Sequence, residues 1–418
     1  MAGAETHPAG AAYVVLGLEP SASLSLEELG DSAVRIDGPS TDAVVTTAAA
    51  AGDVNGDGLG DIVVGVNTAD NNGRGDSGSA YVVFGRTSAG VVELSQFDKN
   101  LQGDDGYRID GASSGDLTGE SVSGIRDLTG DGLDEVLVGS PFGGATYVVP
   151  GKTSFEPVDL LLYDIGANEK GFVVRHPSAE FNDLHKVNRV GDVDGDGSED
   201  LAIGLIRREA GYGRVYVVYG KESADPVDVR NLAPSQGFVI TGERRGDEFG
   251  YSVAGAGDFD GDGYDDVIVG APDRWERPGW GKGRAYVIDG GRRRGSLRAS
   301  RLGRRGTFVD GPRARRDDFG RSVSAAGDVD SDGLADVLVG APAHSPLGRE
   351  YAGSTWLVFG RPEASSKGGR RGFSGARAAD FAGWSLATLN PSTAHAQVVV
   401  AAAGTHERTS RVYLARLR

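Results

Sequence analysis

The chain has 418 residues, a net charge of −17, 39% hydrophobic residues, 67 glycines and no cysteine. Disulfides therefore cannot staple it, and no apolar run approaches the ~18 residues of a membrane-crossing helix. No nucleic-acid partner is expected of so acidic a chain.

In chain order, residues 1–10 fit the end of a second strand and its loop. AAYVVLG (Ala11 to Gly17) and AVRIDG (Ala33 to Gly38) then read as third and fourth strands of a unit without a first strand. After this partial unit (1–38), one pattern recurs over about 39–111, 112–176, 177–242, 243–311, 312–376 and 377–418. A strand of small residues opens the unit, as in Phe249 to Gly257 and Phe319 to Gly327. An acidic loop follows, then a short β-branched strand: DIVVG, EVLVG, DLAIG, DVIVG, DVLVG. A loop of variable length leads to a third strand such as SAYVVFG or RVYVVYG. A fourth strand, near Ile109, Val173, Ile240 or Val309, closes the unit. The last unit keeps FAGWSLATL, AQVVVAAAG and SRVYLARL, but its loop (Asn390 to His395) has no aspartate.

Four Gly-rich strands per unit, each unit with two apolar faces, predict an all-β chain: a β-propeller of four-stranded antiparallel blades. Counting third strands gives a seven-bladed ring with an incomplete N-terminal blade, from which an upstream segment is missing. A six-bladed ring with a spare N-terminal hairpin is the alternative. Any secretion signal would lie upstream, since none is visible here.

The acidic loops carry the chemistry. They are DVNGDGLGD from Asp53, DLTGDGLDE from Asp127, DVDGDGSED from Asp192, DFDGDGYDD from Asp258 and DVDSDGLAD from Asp328. So many like charges in one tight loop call for a hard cation, and Ca²⁺ takes six to eight oxygens at roughly 2.3–2.6 Å. The expected ligands of the first loop are Asp53, Asn55, Asp57, the Leu59 carbonyl and Asp61. Those of the second are Asp127, Thr129, Asp131, the Leu133 carbonyl and Glu135. In the third they are Asp192, Asp194, Asp196, the Ser198 carbonyl and Asp200. The fourth offers Asp258, Asp260, Asp262, the Tyr264 carbonyl and Asp266, and the fifth Asp328, Asp330, Asp332, the Leu334 carbonyl and Asp336. The loops at Asp192 and Asp258 have the fullest sets, and Thr129 makes the loop at Asp127 the weakest. The seventh residue, offering only a carbonyl, is expected to vary freely. An EF-hand would need Glu at the twelfth position, where Val64, Val138, Ile203, Val269 and Val339 stand. A metal-free Asx/Gly turn is the competing reading.

Phe-Gly, then Gly-Asp-x-Asp-Gly-Asp-Gly, then Val-Gly-Ala-Pro (Gly270 to Pro272, Gly340 to Pro342) resembles the FG-GAP repeat. That repeat builds the propeller of integrin α subunits, of glycosylphosphatidylinositol-specific phospholipase D and of many secreted bacterial proteins, the last being the closer likeness. The resemblance implies Ca²⁺ between first and second strands on one face. It also implies recognition of a protein or glycan ligand by second-to-third and fourth-to-first loops on the other. Phe-Gly is missing from the first three units, where Leu117-Thr118-Gly119 stands once in its place.

Among candidate working surfaces, Trp275 and Trp280, with Arg274, Arg277 and Lys282 beside them, suit stacking on a sugar or peptide. Residues 292–316 hold ten arginines and one acid, Asp310; they read as a solvated charged surface, since they span two loops expected on opposite faces. Arg74-Gly75-Asp76 and Arg245-Gly246-Asp247 are adhesion triplets that so Gly- and Asp-rich a chain produces by chance. His7, His344 and His406 fall in equivalent loops without matching surroundings. No nucleophile elbow, phosphate loop or zinc-protease motif is present. The expected function is thus a secreted or cell-surface, calcium-binding adhesion module with structural Ca²⁺, not an enzyme. A propeller-fold hydrolase or lyase, or an architectural segment of a larger surface protein, are the rivals.

Overall fold

A computed structural model describes residues 10–16, 32–40, 42–99, 105–164, 171–178, 184–206, 211–272, 283–292, 295–312, 317–362, 369–389, 397–402 and 411–416. These residues form seven sheets, one helical turn (Leu161–Asp164) and a few 3₁₀ turns. No helix among them is long and apolar enough to cross a membrane.

The chain divides into two compact units, 1–180 with 221–232, and 181–220 with 233–418. In the first unit, Thr47–Gly52, Asp61–Val66, Ser79–Val83 and Gly106–Asp110 form an antiparallel meander. Ser121–Ile125, Glu135–Ser140, Ala145–Val149 and Phe172–Arg175 repeat it. Ala11–Val15 and Ala33–Asp37 supply two strands of a further sheet. In the second unit the same meander recurs from Leu184–Gly191 to Gly237–Arg245, from Ser252–Gly257 to Thr307–Asp310, and from Ser322–Gly327 to Arg370–Ser374. Ala382–Leu389, Gln397–Ala402 and Arg411–Arg416 form a three-stranded sheet.

Two details depart from the expected unit. A short extra strand lies between third and fourth strands and pairs in parallel with the fourth strand of a preceding sheet. Gly90–Glu93 joins Val34–Asp37, Val158–Asp159 joins Ile109–Asp110, Val227–Asp228 joins Val174–Arg175, and Leu297–Arg298 joins Ile240–Thr241. Parallel pairings of two to four residues have too little periodicity to betray them in a sequence. Second, Phe249 and Phe319 precede their strands, in turns, and are fully buried there.

Period-two alternation sends successive residues of one strand into different cores. Val63 packs with Val122, Val136 and Tyr147, whereas its neighbour Val64 packs with Val34, Ile36 and Val92. Likewise Val267 and Val269 join Val190, Phe238 and Phe249, while Ile268 joins Val323 and Phe319. These two sheets thus bury both faces, and burying one such side chain contributes about 1.5–3 kcal/mol.

Neighbouring backbones approach too closely for a Cβ. On Gly270 it would lie 1.9 Å from the Gly320 carbonyl oxygen, and Gly320 itself holds φ +90°. The Gly320 N–H donates to Gly340 in its own sheet at 2.9 Å. The same approach recurs between Gly65 and Gly119, Gly204 and Gly250, and Gly340 and Gly383.

Candidate metal centres and surface sites

Each acidic loop is organised by its first aspartate. Asp192 Oδ1 accepts the N–H groups of Gly195 and Asp196 at 2.7 and 3.0 Å, and Oδ2 that of Gly197 at 2.9 Å. Asp53, Asp127, Asp258 and Asp328 hold their own loops in the same way. The fifth-position carboxylate (Asp57, Asp131, Asp196, Asp262, Asp332) accepts the N–H of the seventh residue in all five loops, at 2.7–3.1 Å.

The ninth residue clamps the loop to the sheet. Asp266 accepts from Phe259 N–H at 2.9 Å and from Gly290 N–H, beyond the third strand, at 2.7 Å. Asp61, Asp200 and Asp336 make the equivalent pair of bonds. Glu135, one methylene longer, turns both oxygens onto Leu128 and Thr129 instead.

Three carboxylates converge in four of the loops, with ligand atoms within 4.8 Å of one another: Asp127, Asp131 and Glu135; Asp192, Asp194 and Asp200; Asp258, Asp260 and Asp262; Asp328, Asp330 and Asp332. The loop at Asp127 is among them despite Thr129, because Glu135 reaches in. In the loop at Asp53, Asn55 instead donates from its amide to Asp57 at 3.0 Å.

The electrostatics of these clusters fit a divalent cation. Burial, reinforced by neighbouring aspartates, pushes Asp200 and Asp266 up to about 8, Glu135 to about 7, and Asp61 and Asp336 to about 6. Asp194 Oδ1 is buried without a hydrogen-bond partner, and burial with Asp196 and Asp192 nearby raises this carboxyl too. A cation at the cluster would oppose every one of these shifts by favouring the charged carboxylates.

The loops are also joined to one another, through their eighth residues and through the seventh, which the sequence let vary. The eighth-position Asp134 accepts the Asp53 N–H through Oδ2 at 2.9 Å and donates its own N–H to the Asp53 carbonyl at 3.1 Å. The seventh residue packs over the fourth-position glycine of the preceding loop: Leu133 over Gly56, Tyr264 over Gly195, Leu334 over Gly261. At the fourth position of the last loop stands Ser331, which holds φ 62°. The paired acids at eighth and ninth positions (Asp134-Glu135, Asp265-Asp266) were the available signal.

Of the other candidates, Trp275, Trp280, Arg274, Arg277, His7 and His406 lie outside the described residues. Arg74 pairs with Asp159 at 2.9 Å and with the Ala112 carbonyl, so the first triplet is tied into its own sheet. Asp247 of the second caps the N–H groups of Arg244 and Phe249. His344 bonds Ser354 at 2.8 Å, and burial lowers its pKa.

The reading of residues missed an aromatic cluster in the second unit, at the strand ends away from the acidic loops. The Arg321 guanidinium lies 3.9 Å from the Trp384 ring centroid and 5.1 Å from that of Tyr251. Tyr351 stacks on Phe381 at 5.6 Å, and Phe381 meets Trp384 edge-on. Tyr351 and Trp384 are both 42% exposed. Tyr251 and Arg321 directly follow the Phe-Gly pairs, the only hint the sequence carried.

The chain matches the FG-GAP repeat at residues 45–83, 118–154, 249–288 and 319–358. It is 32% identical over 259 residues to integrin alpha-PS2 of Drosophila melanogaster, covering 56% of this chain and 17% of that protein. It is 32% identical over 234 residues to integrin alpha pat-2 of Caenorhabditis briggsae, covering 51% of this chain and 17% of that protein. To integrin alpha-V of Gallus gallus it is 30% identical over 239 residues, covering 54% of this chain and 21% of the relative. The chain therefore spans about a fifth or less of the length of the relatives named.

Proposed function

We propose, on the premise that this chain is an FG-GAP repeat protein resembling integrin α subunits, that it is a calcium-stabilised β-propeller serving as an extracellular ligand-binding or adhesion module. The observation that carries the calcium reading is the convergence of three carboxylates in each of four loops that also hold raised carboxyl pKa values. Asp192, Asp194, Asp196, the Ser198 carbonyl and Asp200 would hold one ion, with equivalent sets in the loops from Asp53, Asp127, Asp258 and Asp328. The ion supplies charge neutralisation; the chain's own hydrogen bonds supply loop shape. Millimolar calcium outside cells suits loops of this open kind. In this reading each four-stranded meander is one propeller blade.

The ligand, a protein or a glycan, engages the ends of the blades away from the acidic loops. Exposed Tyr351 and Trp384 beside Arg321 give that end aromatic and cationic character. The acidic loops are not read as catalytic carboxylate pairs, since their oxygens bond backbone N–H groups and would hold the cation; a binding or adhesion role is preferred here to an enzyme. Arrays of matrix proteins and glycans, probed with the full chain in calcium and after its removal, test this. Calcium-dependent binding to one class supports it; turnover of an arrayed glycan or ester instead supports a propeller hydrolase or lyase.

A further inference from the structure

The second unit contains a groove of about 420 Å³ on the side of the acidic loops, between the turn Ala299–Arg301, the start of strand Thr307–Asp310 and the segment Arg361–Pro362. That volume falls within the range of small-ligand sites. Buried Ala299 and Leu302 form its floor, and Phe308, 49% exposed, forms an apolar wall. Three arginines line it: Arg301, Arg304 and Arg361. They come from two stretches far apart in sequence. The Arg361 N–H donates to the Phe259 carbonyl at 2.8 Å, which fixes this arginine beside the loop at Asp258. The acids of the groove are Asp260 and Asp289. Asp289 is buried, and Asp260 belongs to a carboxylate cluster suited to a cation. With a cation held by that cluster, the exposed charge of the groove is carried by guanidinium groups.

We propose that this groove binds an acidic saccharide, a short stretch of a chain bearing uronate or sulfate groups. Guanidinium forks pair with carboxylate and sulfate oxygens in two-pronged geometry. An aromatic wall beside them suits a pyranose, whose ring faces are apolar and whose substituents are polar. Acidic peptides carry their carboxylates on flexible stems and present no such face between charges. The site is separate from the aromatic cluster at Trp384 and would bind whether or not that cluster does. With Ca²⁺ in the loop at Asp258, the Asp260 charge is neutralised and the groove favours anions further.

The test is equilibrium binding of the full chain, in calcium, to dextran sulfate, polygalacturonate, neutral dextran and poly-glutamate. Binding to the first two and not to dextran is expected. Arg301→Ala, Arg304→Ala and Arg361→Ala should each weaken it about fivefold to tenfold. The triple variant should abolish it, with calcium uptake and thermal midpoint unchanged. Arg371→Ala, an exposed arginine outside the groove, should leave affinity within about twofold, an ordinary surface effect. Undiminished binding by the triple variant, or an equal loss in Arg371→Ala, would overturn the site. Tighter binding of poly-glutamate than of dextran sulfate would replace the saccharide with an acidic peptide.

Discussion

Asp265 holds Asp192 by two hydrogen bonds: its Oδ2 accepts the Asp192 N–H at 2.9 Å, and its own N–H donates to the Asp192 carbonyl at 3.1 Å. One acidic loop is thereby fastened to the opening residue of the loop before it. Ala335 continues the chain, donating its N–H to the Asp258 carbonyl at 2.9 Å, but has no side-chain acceptor to complete the pair. In Asp265→Ala, the Asp192 N–H loses its acceptor, a cost of about 1–3 kcal/mol. Calcium affinity of the loop at Asp192 should fall with it, and Asp265→Asn, which keeps an acceptor oxygen, should recover most of both. Calorimetric calcium titration and thermal melting of the two variants check this.

Gly270→Ala places a methyl 1.9 Å from the Gly320 carbonyl oxygen, so the two sheets must separate. A loss of about 3 kcal/mol or more is expected, the upper end for overpacking. Gly263→Ala is the contrast, because its Cβ meets nothing within 4 Å and only the φ of +89° opposes it. It should cost about 1–2 kcal/mol. Denaturant unfolding of both variants measures the difference.

Stability of the calcium-free protein should depend on pH in an unusual direction. Asp200 and Asp266 have folded values of about 8 because burial and nearby aspartates disfavour the anion, against about 3.9 in an unfolded chain. The folded state thus holds more protons between those values. The stabilisation is complete below about pH 4 and is lost as pH rises through about 8. Melting midpoints after calcium removal should fall across this window, and saturating calcium should flatten or reverse the slope.

Trp384→Ala removes the exposed ring that Arg321 covers at 3.9 Å. Binding of whichever matrix protein or glycan the arrays identify should weaken about tenfold or more, as for an interface anchor. Calcium uptake should stay unchanged. Surface plasmon resonance on the variant reads this directly, and full retained affinity would remove the cluster from the ligand face.

Much of this architecture is legible in the residues. Strands such as Asp266–Ala271 announce themselves by β-branched runs between glycines, and the acidic loops by their fixed spacing. What stayed hidden acts across sheets. Val227–Asp228 is too short to show a pattern, yet it ties its segment to the first unit through Val174–Arg175. Leu133, Tyr264 and Leu334 look interchangeable until each is seen lying on a glycine of another loop. Arg301 and Arg361 meet in one groove although the segments between them offer no hint of it. Linear spacing reveals what a loop does for itself and is silent about what it does for its neighbour.

Thermal unfolding in millimolar calcium and in excess chelator, at pH 7.4, decides whether the acidic loops are cation cages. Each filled loop adds about 2.7 kcal/mol at a hundredfold saturation, so a midpoint higher by on the order of 10 °C in calcium is expected. Identical midpoints in the two buffers would contradict it.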